Sequence, residues 1–292
     1  MFDVLCKSVQ DAGATLTSIE EAEGLIWADP SKADLFPEIS ANAPNLKWIQ
    51  LPYAGIESFA LHLDKQWIWT CGKGIYAREV AETALSLSLS GLKNIHGYAR
   101  ETSWSEPVGR VLGDSRVCIL GAGGITQCLL PLLTPFGCDI TIVRRHAESL
   151  DGANRTVPTS RLFEILPRTD LLILALSLTN ETLGIVNKKV FSALPEHAWI
   201  VNVARGSHVV TDDLVDALRL GTIGGAALDV TDPEPLPDGH PLWKEPNCLI
   251  TPHIGNTPEM GLKVLGPFIS ENVKRFCNND DLLGLVDVDL GY

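Results

Sequence analysis

The sequence lacks an apolar run of about eighteen residues, which is the length that a membrane-spanning helix needs. Its first residues, MFDVLCKSVQDAG, have neither the apolar centre of a secretion signal nor the composition of a transit peptide. We therefore expect a cytoplasmic protein that does not bind a membrane.

Positive charge is also scarce. The chain has 23 lysines and arginines against 36 aspartates and glutamates, which gives a formal net charge of −13. The phosphates of nucleic acids and of anionic lipids repel such a surface. We expect no nucleic-acid partner, and we expect any anionic ligand to be held by a local positive site.

The cysteines do not form a recognisable pattern. They are seven in number, scattered and without a C-x-x-C pair, so neither a disulfide framework nor a zinc site is predicted. Reduced, mostly buried thiols are expected, with no bound metal. Internal repeats and low-complexity tracts are absent as well.

The chain does contain a regular alternation of strands and helices. With 292 residues, it is long enough for one large or two ordinary domains. From residue 116 onward, short β-branched runs alternate with helical segments, which is typical of a parallel sheet covered on both faces. The predicted strands are RVCIL, DITIV, DLLILAL, AWIVNV, GAALDV and CLITP. The pattern predicts an α/β protein of two domains, with a Rossmann-type doubly wound parallel sheet inserted into a smaller, flavodoxin-like α/β domain.

The predicted domain boundaries lie at two helices. Residues 1–85 and 262–292 are assigned to the smaller domain, in which GLIWAD and LKWIQL are predicted strands, and residues 86–261 to the larger one. A long helix from Ala77 to Ala99 leads into the larger domain, and a final helix from about Glu259 to Phe276 returns to the smaller one. The other predicted helices are Thr126 to Phe136, Ser160 to Leu166, and Asp213 to Leu220 with a cap at Thr211.

The stretch VCILGAGGIT predicts a nucleotide-binding turn. Gly121 allows a sharp turn, and Gly123 lets a pyrophosphate approach the backbone at a helix N-terminus, next to Gly124 and Ile125. Thr126 occupies the position where a third glycine is usual, and its branched side chain needs more room between helix and sheet. Because the turn follows a strand, precedes a helix and lies within a βαβ unit, we predict a bound dinucleotide. The alternative is an empty turn of the same shape.

Two arginines follow the second strand of this unit. An acid at that position would bind both ribose hydroxyls of NAD, whereas arginine pairs with the 2′-phosphate of NADP. Arg144 and Arg145 follow TIV directly, and the first acid is Glu148. This favours NADP, with NAD possible, because a solvated arginine pair also tolerates NAD.

Three later motifs carry polar side chains at or just after strand ends. Arg205 follows a strand in VNVARG, Glu234 lies in the proline-fenced loop DVTDPEPLPDGHPLW, and His253 follows CLI in TPHIGN. Ligands of open α/β sheets bind at the carboxyl ends of the strands. A single histidine or glutamate there is usually structural, but the three together favour a catalytic site.

These motifs resemble those of the D-isomer-specific 2-hydroxyacid dehydrogenases, the family of glyoxylate/hydroxypyruvate reductase and phosphoglycerate dehydrogenase. The resemblance runs from LKWIQLPYAG to TPHIG and rests on GAGGIT, LSLTNET, VNVARG, AALDVTDPEPL and TPHIG. It implies that Arg205, Glu234 and His253 are catalytic, and that the smaller domain binds substrate and the larger one the dinucleotide. It further implies that the substrate carboxylate is held by Tyr53, Ala54, Gly55 and Ile56. The further cofactor contacts that we expect are Ser177, Thr182, Ala204, Asp229 and Gly255.

The expected chemistry is hydride transfer to a 2-keto acid, which leaves negative charge on the keto oxygen. His253 would donate the proton, Glu234 would hold the imidazole, and Arg205 would bind the substrate.

We expect an NADPH-preferring reductase of glyoxylate or hydroxypyruvate, and a homodimer formed through the segment that contains Ile95 and Trp104. The alternatives are an NAD-linked dehydrogenase of another D-2-hydroxy acid or of phosphoglycerate, and a dinucleotide-sensing protein similar to the corepressors of this fold. Ser177 stands where the family commonly has proline, so we expect a less rigid loop there.

Overall fold

A computed structural model describes residues 1–291 of the chain as two compact units. The smaller unit comprises Met1–Tyr76 and the chain from Thr257 onward, and the larger unit comprises Ala77–Asn256. The boundaries expected at residues 85 and 262 would each fall inside a helix, and the structure instead keeps Ala77–Leu92 whole in the larger unit. The reason is packing, because the buried face of this helix, including Ala81 and Ala84, belongs to the core of the larger sheet.

Ten strands, named β1 to β10 in chain order, form two parallel sheets in the described residues. They span Gly24–Ile26, Trp48–Gln50, Ile68–Thr70, Arg116–Leu120, Asp139–Arg144, Arg155–Pro158, Leu171–Leu174, Trp199–Asn202, Gly225–Leu228 and Cys248–Ile250. The smaller unit holds the three-stranded sheet β1-β2-β3, and the larger holds the seven-stranded sheet β10-β9-β8-β7-β4-β5-β6. The predicted two-domain α/β fold with a Rossmann-type sheet is confirmed. The predicted strands of the larger unit all form, several of them shorter than expected, and β6 was not predicted.

The α-helices of the described residues are named α1 to α9 in chain order. They span Phe2–Asp11, Phe36–Ala41, Ala77–Leu92, Ile95–Tyr98, Gly124–Leu133, Leu162–Ile165, Lys188–Ala193, Thr211–Arg219 and Pro258–Asn278.

Two helix predictions need correction. The expected helix from Ala77 to Ala99 is broken, because Asn94 adopts a left-handed conformation with φ 53° between α3 and α4. The expected cap of α8 by Thr211 is also wrong. Val210 occupies the cap position, and the Thr211 hydroxyl donates to the Asp232 carbonyl at 2.6 Å instead.

The larger sheet is buried on both faces, as expected for parallel strands covered by helices. Along β4, Val117 and Ile119 contribute to one apolar layer, whereas Cys118 and Leu120 contribute to the other. All four side chains are at most 1% exposed. The strands therefore read as continuous apolar runs, and their polar side chains are displaced to the strand ends.

The smaller unit contains a buried polar network beside its apolar core. Gln50, Thr70 and Asn272 are each 0% exposed. The Thr70 hydroxyl and the Asn272 amide both donate to Gln50 Oε1 at 2.8 Å, and the Trp48 indole donates to Thr70. These bonds tie the strands of the small sheet to α9, so the last helix belongs structurally to the first part of the chain.

Two further properties concern the described residues as a whole. None of their helices combines the length and the hydrophobicity that crossing a membrane requires. All seven cysteines are unpaired thiols, of which Cys71, Cys118, Cys138 and Cys248 are buried and Cys277 is exposed.

Candidate active site

The seven-stranded sheet gathers the predicted site residues of the larger unit at its carboxyl edge. They lie at the ends of six strands. In the order of the sheet they are His253 after β10, Asp229 and Glu234 after β9, Arg205 after β8, Ser177 after β7, Gly121 after β4, and Arg144 at the end of β5. The strand order reverses between β7 and β4, and such a reversal is where open α/β sheets bind their ligands. The glycine turn lies directly at this point.

The turn after β4 requires glycine at Gly121. This residue has φ 106°, and a Cβ there would lie 2.3 Å from the Ala175 carbonyl oxygen. Gly123, by contrast, faces open space, because a Cβ at this position would meet nothing within 4 Å. It precedes α5 without a side-chain cap, so the amides of Gly124 and Ile125 at the first helical turn have no intrahelical acceptor. This end of the helix fits a pyrophosphate.

Thr126 fits without disturbing the helix. It is 0% exposed, and its hydroxyl donates to the Gly121 carbonyl at 2.9 Å. The space that a third glycine would leave is therefore filled, and the hydroxyl closes the turn. The packing problem expected from the sequence does not arise.

Arg144 and Arg145 lie at the end of β5, the neighbour of β4. Arg144 is 3.7 Å from Glu148, and Arg145 is 3.0 Å from Glu181. Both acids are highly exposed, at 78% and 74%, and surface pairs of this kind contribute little energy. A ligand phosphate can replace them, so this site is compatible with a 2′-phosphate.

The loop after β7 is held by Thr182. Its hydroxyl donates to the Ser177 carbonyl and accepts from the Thr179 amide, both at 2.8 Å. These bonds close the loop on itself, so it has an internal constraint in spite of the serine at position 177.

Arg205 is positioned by two residues that the sequence motifs did not single out. Asn202, 0% exposed, accepts from the Ala204 amide at 3.0 Å and donates to the Arg205 carbonyl at 2.8 Å. His208, also 0% exposed, accepts at Nδ1 from the Arg205 amide at 3.2 Å. The signal in the sequence is the polar residue that ends the otherwise apolar strand WIVN, together with the histidine in RGSH.

The loop of Arg205 also touches the loop of Glu234 through backbone. A Cβ on Gly206 would lie 1.9 Å from the Thr231 carbonyl oxygen, closer than any side chain allows. Only glycine lets these two loops approach so closely.

Ala204, which was expected to contact the cofactor, is buried and accepts a hydrogen bond from the Arg205 guanidinium at 2.7 Å.

Asp229 holds the loop that carries His253. It is 2% exposed, and its carboxylate accepts from the Thr251 hydroxyl at 2.6 Å and from the amides of Ile254 and Gly255, both at 2.8 Å. The bonded groups lie on both sides of His253, whose φ is 53°. Asp229 therefore stabilises the uncommon backbone conformation of His253, and this conformation sets the orientation of the imidazole.

His253 and Glu234 form a hydrogen-bonded pair. His253 Nδ1 lies 2.6 Å from Glu234 Oε1, and the Thr231 amide donates to Glu234 Oε2 at 3.3 Å. The bond to Glu234 raises the pKa of His253 although burial opposes this, and the same bond lowers the pKa of Glu234. The positive charge of Arg205 lowers the pKa of both groups. The bond therefore favours the imidazolium and carboxylate forms of the pair, and Nε2 faces away from the glutamate.

This arrangement can donate a proton next to a cation. Nδ1 is engaged by Glu234, which leaves Nε2 as the donating atom, and the guanidinium of Arg205 can bind a carboxylate or a developing oxyanion. The described residues contain no group of histidine, cysteine and acidic side chains arranged to hold a metal ion.

The loop Tyr53–Ile56 lies in the smaller unit. Ile56 is 3% exposed, and Ala54 is exposed. The Tyr76 hydroxyl donates to the Pro52 carbonyl at 2.6 Å, and the Gly72 amide donates to the Tyr53 carbonyl at 3.0 Å. Tyr76 and Gly72, which lie outside the motifs that carry the resemblance, thus hold the loop through its backbone carbonyls.

Comparisons with known proteins agree with this geometry. A protein of Corynebacterium melassecola, described as an uncharacterised protein in the proB 3′ region, is 38% identical over 88% of this chain and 87% of its own. Glyoxylate/hydroxypyruvate reductase A of Serratia proteamaculans is 30% identical over 92% of this chain and 87% of its own. The crystal structure of a D-isomer specific 2-hydroxyacid dehydrogenase from Xanthobacter autotrophicus, in complex with NADPH and MES, has a TM-score of 0.86 at 27% identity and covers 100% of this chain and 96% of its own.

The family model for the NAD binding domain of D-isomer specific 2-hydroxyacid dehydrogenases matches residues 83–255, which is most of the larger unit. This chain belongs to the D-isomer specific 2-hydroxyacid dehydrogenase family and is an NAD(P)-dependent enzyme.

Proposed function

We propose that this enzyme reduces glyoxylate and hydroxypyruvate with NADPH. The observation that carries the proposal is the hydrogen-bonded pair of His253 and Glu234, 2.6 Å apart, on the sheet edge that also bears Arg205. The relative from Serratia, named for this activity, matches over nearly the whole chain. Small 2-keto acids are thus the substrate class, and these two are the first candidates.

The roles that we propose follow from the electrostatics. Bound nicotinamide supplies the hydride. His253 donates a proton from Nε2 to the keto oxygen, and Glu234 keeps its imidazole charged beforehand. Arg205 engages the substrate through its planar fork, which a lysine does not match. Asp229 and the residues around Arg205 hold these two side chains in place, so little rearrangement is needed during the reaction.

The proposed cofactor is NADPH, with NADH as a weaker alternative. The pyrophosphate would bind at the N-terminus of α5 beside Gly121, Gly123, Gly124, Ile125 and Thr126. Arg144 and Arg145 would bind the 2′-phosphate in place of their exposed acidic partners. Ser177, Thr182, Ala204, Asp229 and Gly255 are proposed to border the rest of the cofactor. The solved relative from Xanthobacter contains NADPH, which supports this preference.

The remaining assignments concern the smaller unit and the assembly. We propose that the backbone amides of Tyr53, Ala54, Gly55 and Ile56 bind the substrate carboxylate. We also propose a cytoplasmic homodimer. Trp104, 100% exposed, and Val108, 59% exposed, follow α4, and such side chains favour burial against a second copy.

The test follows the absorbance of the nicotinamide during turnover. The purified enzyme is mixed with glyoxylate, hydroxypyruvate, pyruvate or 2-ketobutyrate, each with NADPH and with NADH, and kcat/KM is compared. The proposal requires glyoxylate or hydroxypyruvate to be the best substrate and NADPH the better reductant. A preference for NADH would support the NAD-linked alternative. No turnover with any pair by a protein that still binds NADPH would contradict the proposed function, and His253→Ala serves as the inactive control.

A further inference from the structure

A cavity of about 420 Å3 lies in the larger unit, away from the carboxyl edge of the sheet. Its floor is formed by the amino-terminal halves of β4, β5 and β6, and its wall by the end of α6 and the residues after it, from Glu164 to Thr169. Because the strands are parallel, this end of the sheet is opposite to the glycine turn and to His253. Nothing in the proposed reaction uses this cavity.

The floor of the cavity is polar at a position where a sheet interior is normally apolar. Cys118, Thr141 and Arg155 are neighbours in register on the three adjacent strands. Thr141 is only 4% exposed as a residue, and it lines the cavity. Its hydroxyl makes no side-chain hydrogen bond within residues 1–291 and is not an enclosed atom, so it is free to bond to a molecule in the cavity. A ligand or water in the cavity is the partner that the geometry allows.

The rim of the cavity carries charged side chains of both signs, with one more arginine than acid. Three arginines line it, Arg116, Arg155 and Arg168, against the two acids Asp139 and Glu164. Both acids are already engaged, since Asp139 accepts two hydrogen bonds from Arg155 and Glu164 accepts two from Arg161. Arg168 makes no side-chain hydrogen bond or ion pair within the described part of the chain. An unpaired guanidinium over a cavity is notable in a protein with a net charge of −13, because acidic partners are abundant elsewhere.

We propose that this cavity is a second ligand site, which binds a small molecule carrying an oxyanion, either a carboxylate or a phosphate. Arg168 binds the anionic group, the Thr141 hydroxyl donates to it from the floor, and the side chain of Ile165 contacts the carbon skeleton. The volume is within the range of small-molecule sites in proteins. This inference is independent of the proposed reaction, because it uses none of the residues at the carboxyl edge.

The test is isothermal titration calorimetry of the full-length protein with two probes, inorganic phosphate and succinate. NADP+ is present at a saturating concentration so that the glycine turn and Arg144 are occupied. We expect the cavity to bind one probe molecule per chain. Tighter binding of phosphate would identify the natural ligand as a phosphate ester, and tighter binding of succinate would identify it as an organic acid.

Two variants assign the binding to the cavity. Arg168→Gln removes a charged hydrogen bond and should weaken binding by about tenfold or more, and Thr141→Val removes one hydrogen bond at constant shape and should weaken it by about fivefold. Lys189→Gln removes the same charge at an exposed position outside the cavity and should leave the affinity unchanged.

Two results would overturn the inference. One is the absence of binding of either probe at millimolar concentrations. The other is binding that persists unchanged in both Arg168→Gln and Thr141→Val, since this would place the probe elsewhere, for example at the carboxyl edge. Neither result depends on turnover, so a failure here is separate from a failure of the proposed function.

Discussion

Glu234 Oε1 lies 2.6 Å from His253 Nδ1, and this bond is the largest cause of the shifts in the pKa of both residues. The two groups therefore titrate as a coupled pair, and the bond between them favours the proton on the imidazole. Both the pH dependence of the reaction and the effect of removing His253 follow from this relationship.

The first prediction concerns pH. Reduction needs protonated His253, so kcat/KM for the keto acid should fall as the pH rises through the raised pKa of His253. Glu234→Gln removes the carboxylate that raises this pKa, and the alkaline fall should move to lower pH. The measurement is the pH dependence of kcat/KM with NADPH for both proteins. An alkaline limb at the same pH in Glu234→Gln would show that Glu234 does not set the pKa of His253.

The second prediction separates chemistry from binding. His253→Ala should lower kcat by roughly a hundred- to ten-thousandfold, because general acid catalysis contributes about this factor. The dissociation constant of NADPH, measured by fluorescence, should change little because His253 acts in the transition state. The control is His240→Ala, which removes another histidine of the loop that carries Glu234, one whose Nδ1 accepts from the Leu242 amide and takes no part in the pair. Near-normal turnover of His253→Ala would remove the assignment of the proton donor.

The third prediction concerns His208 as a positioning residue for Arg205. Its Nδ1 accepts from the Arg205 amide at 3.2 Å, so His208→Leu should shift the arginine and lower kcat/KM by about ten- to hundredfold. His208→Asn, whose side-chain oxygen can accept the same bond, should recover most of this loss.

A double-mutant cycle tests whether His208 acts through Arg205. In an Arg205→Lys background, where the planar fork is already lost, His208→Leu should cost less than about threefold, because its effect depends on the arginine. A loss of the same size in both backgrounds would indicate a general structural effect instead. Urea denaturation of each variant checks that the fold is retained.

The fourth prediction concerns the choice of cofactor. Changing Arg144 and Arg145 together to glutamine should lower kcat/KM for NADPH by about ten- to hundredfold, the usual value of charged hydrogen bonds, and should leave NADH nearly unaffected. Arg161→Gln is the control, since Arg161 also forms an exposed pair with a glutamate, at 2.7 Å. An equal decrease of kcat/KM with NADPH and with NADH would mean that the two arginines do not bind the 2′-phosphate.

The sequence was sufficient to predict the strands of the larger sheet and the motifs at their ends. A parallel sheet buried on both faces needs continuous apolar strands, so a polar residue after such a run marks the edge of the sheet. The strand β6 was not predicted from the sequence, because RTVP is short, contains proline and pairs on one side only, with β5. Within sheets proline is confined mainly to edge strands and strand ends, so its presence weakens the strand signal in the sequence.

The residues that hold Arg205 and His253 in place could not be predicted in the same way. Asn202 bonds to the backbone around Arg205, and Asp229 bonds to both sides of His253, but these contacts depend on how loops from neighbouring strands meet. The resemblance placed Asp229 among the cofactor contacts, and it gave no indication that the carboxylate also bonds to the loop that carries His253. Likewise, nothing in the sequence around Asn94 fixed the point at which the long helix breaks, because a left-handed asparagine is a matter of local context.

The last prediction concerns stability at the amino edge of the large sheet. The Asp170 carboxylate is 5% exposed and accepts from the Arg116 amide at 2.8 Å, from the Arg116 guanidinium at 2.9 and 3.0 Å, and from His197 at 2.7 Å. Arg110 is a further 3.9 Å neighbour. Burial raises the pKa of Asp170, but the bonds from Arg116 and His197 outweigh it and hold this pKa well below its usual range. The charged form is therefore part of the folded state.

Asp170→Asn should accordingly lower the free energy of unfolding at pH 7 by about 2 to 4 kcal/mol, because it leaves Arg116 without its buried partner. A depressed folded-state pKa gives stability that is present above the ordinary aspartate value of 3.8 and is lost as the pH falls toward the folded value. The difference between the two proteins, measured by urea denaturation, should thus shrink below that pH. Asp139→Asn breaks the more exposed pair with Arg155 and should cost less than about 1 kcal/mol. Equal stability of Asp170→Asn and the original protein at pH 7 would show that this carboxylate does not tie the strands together.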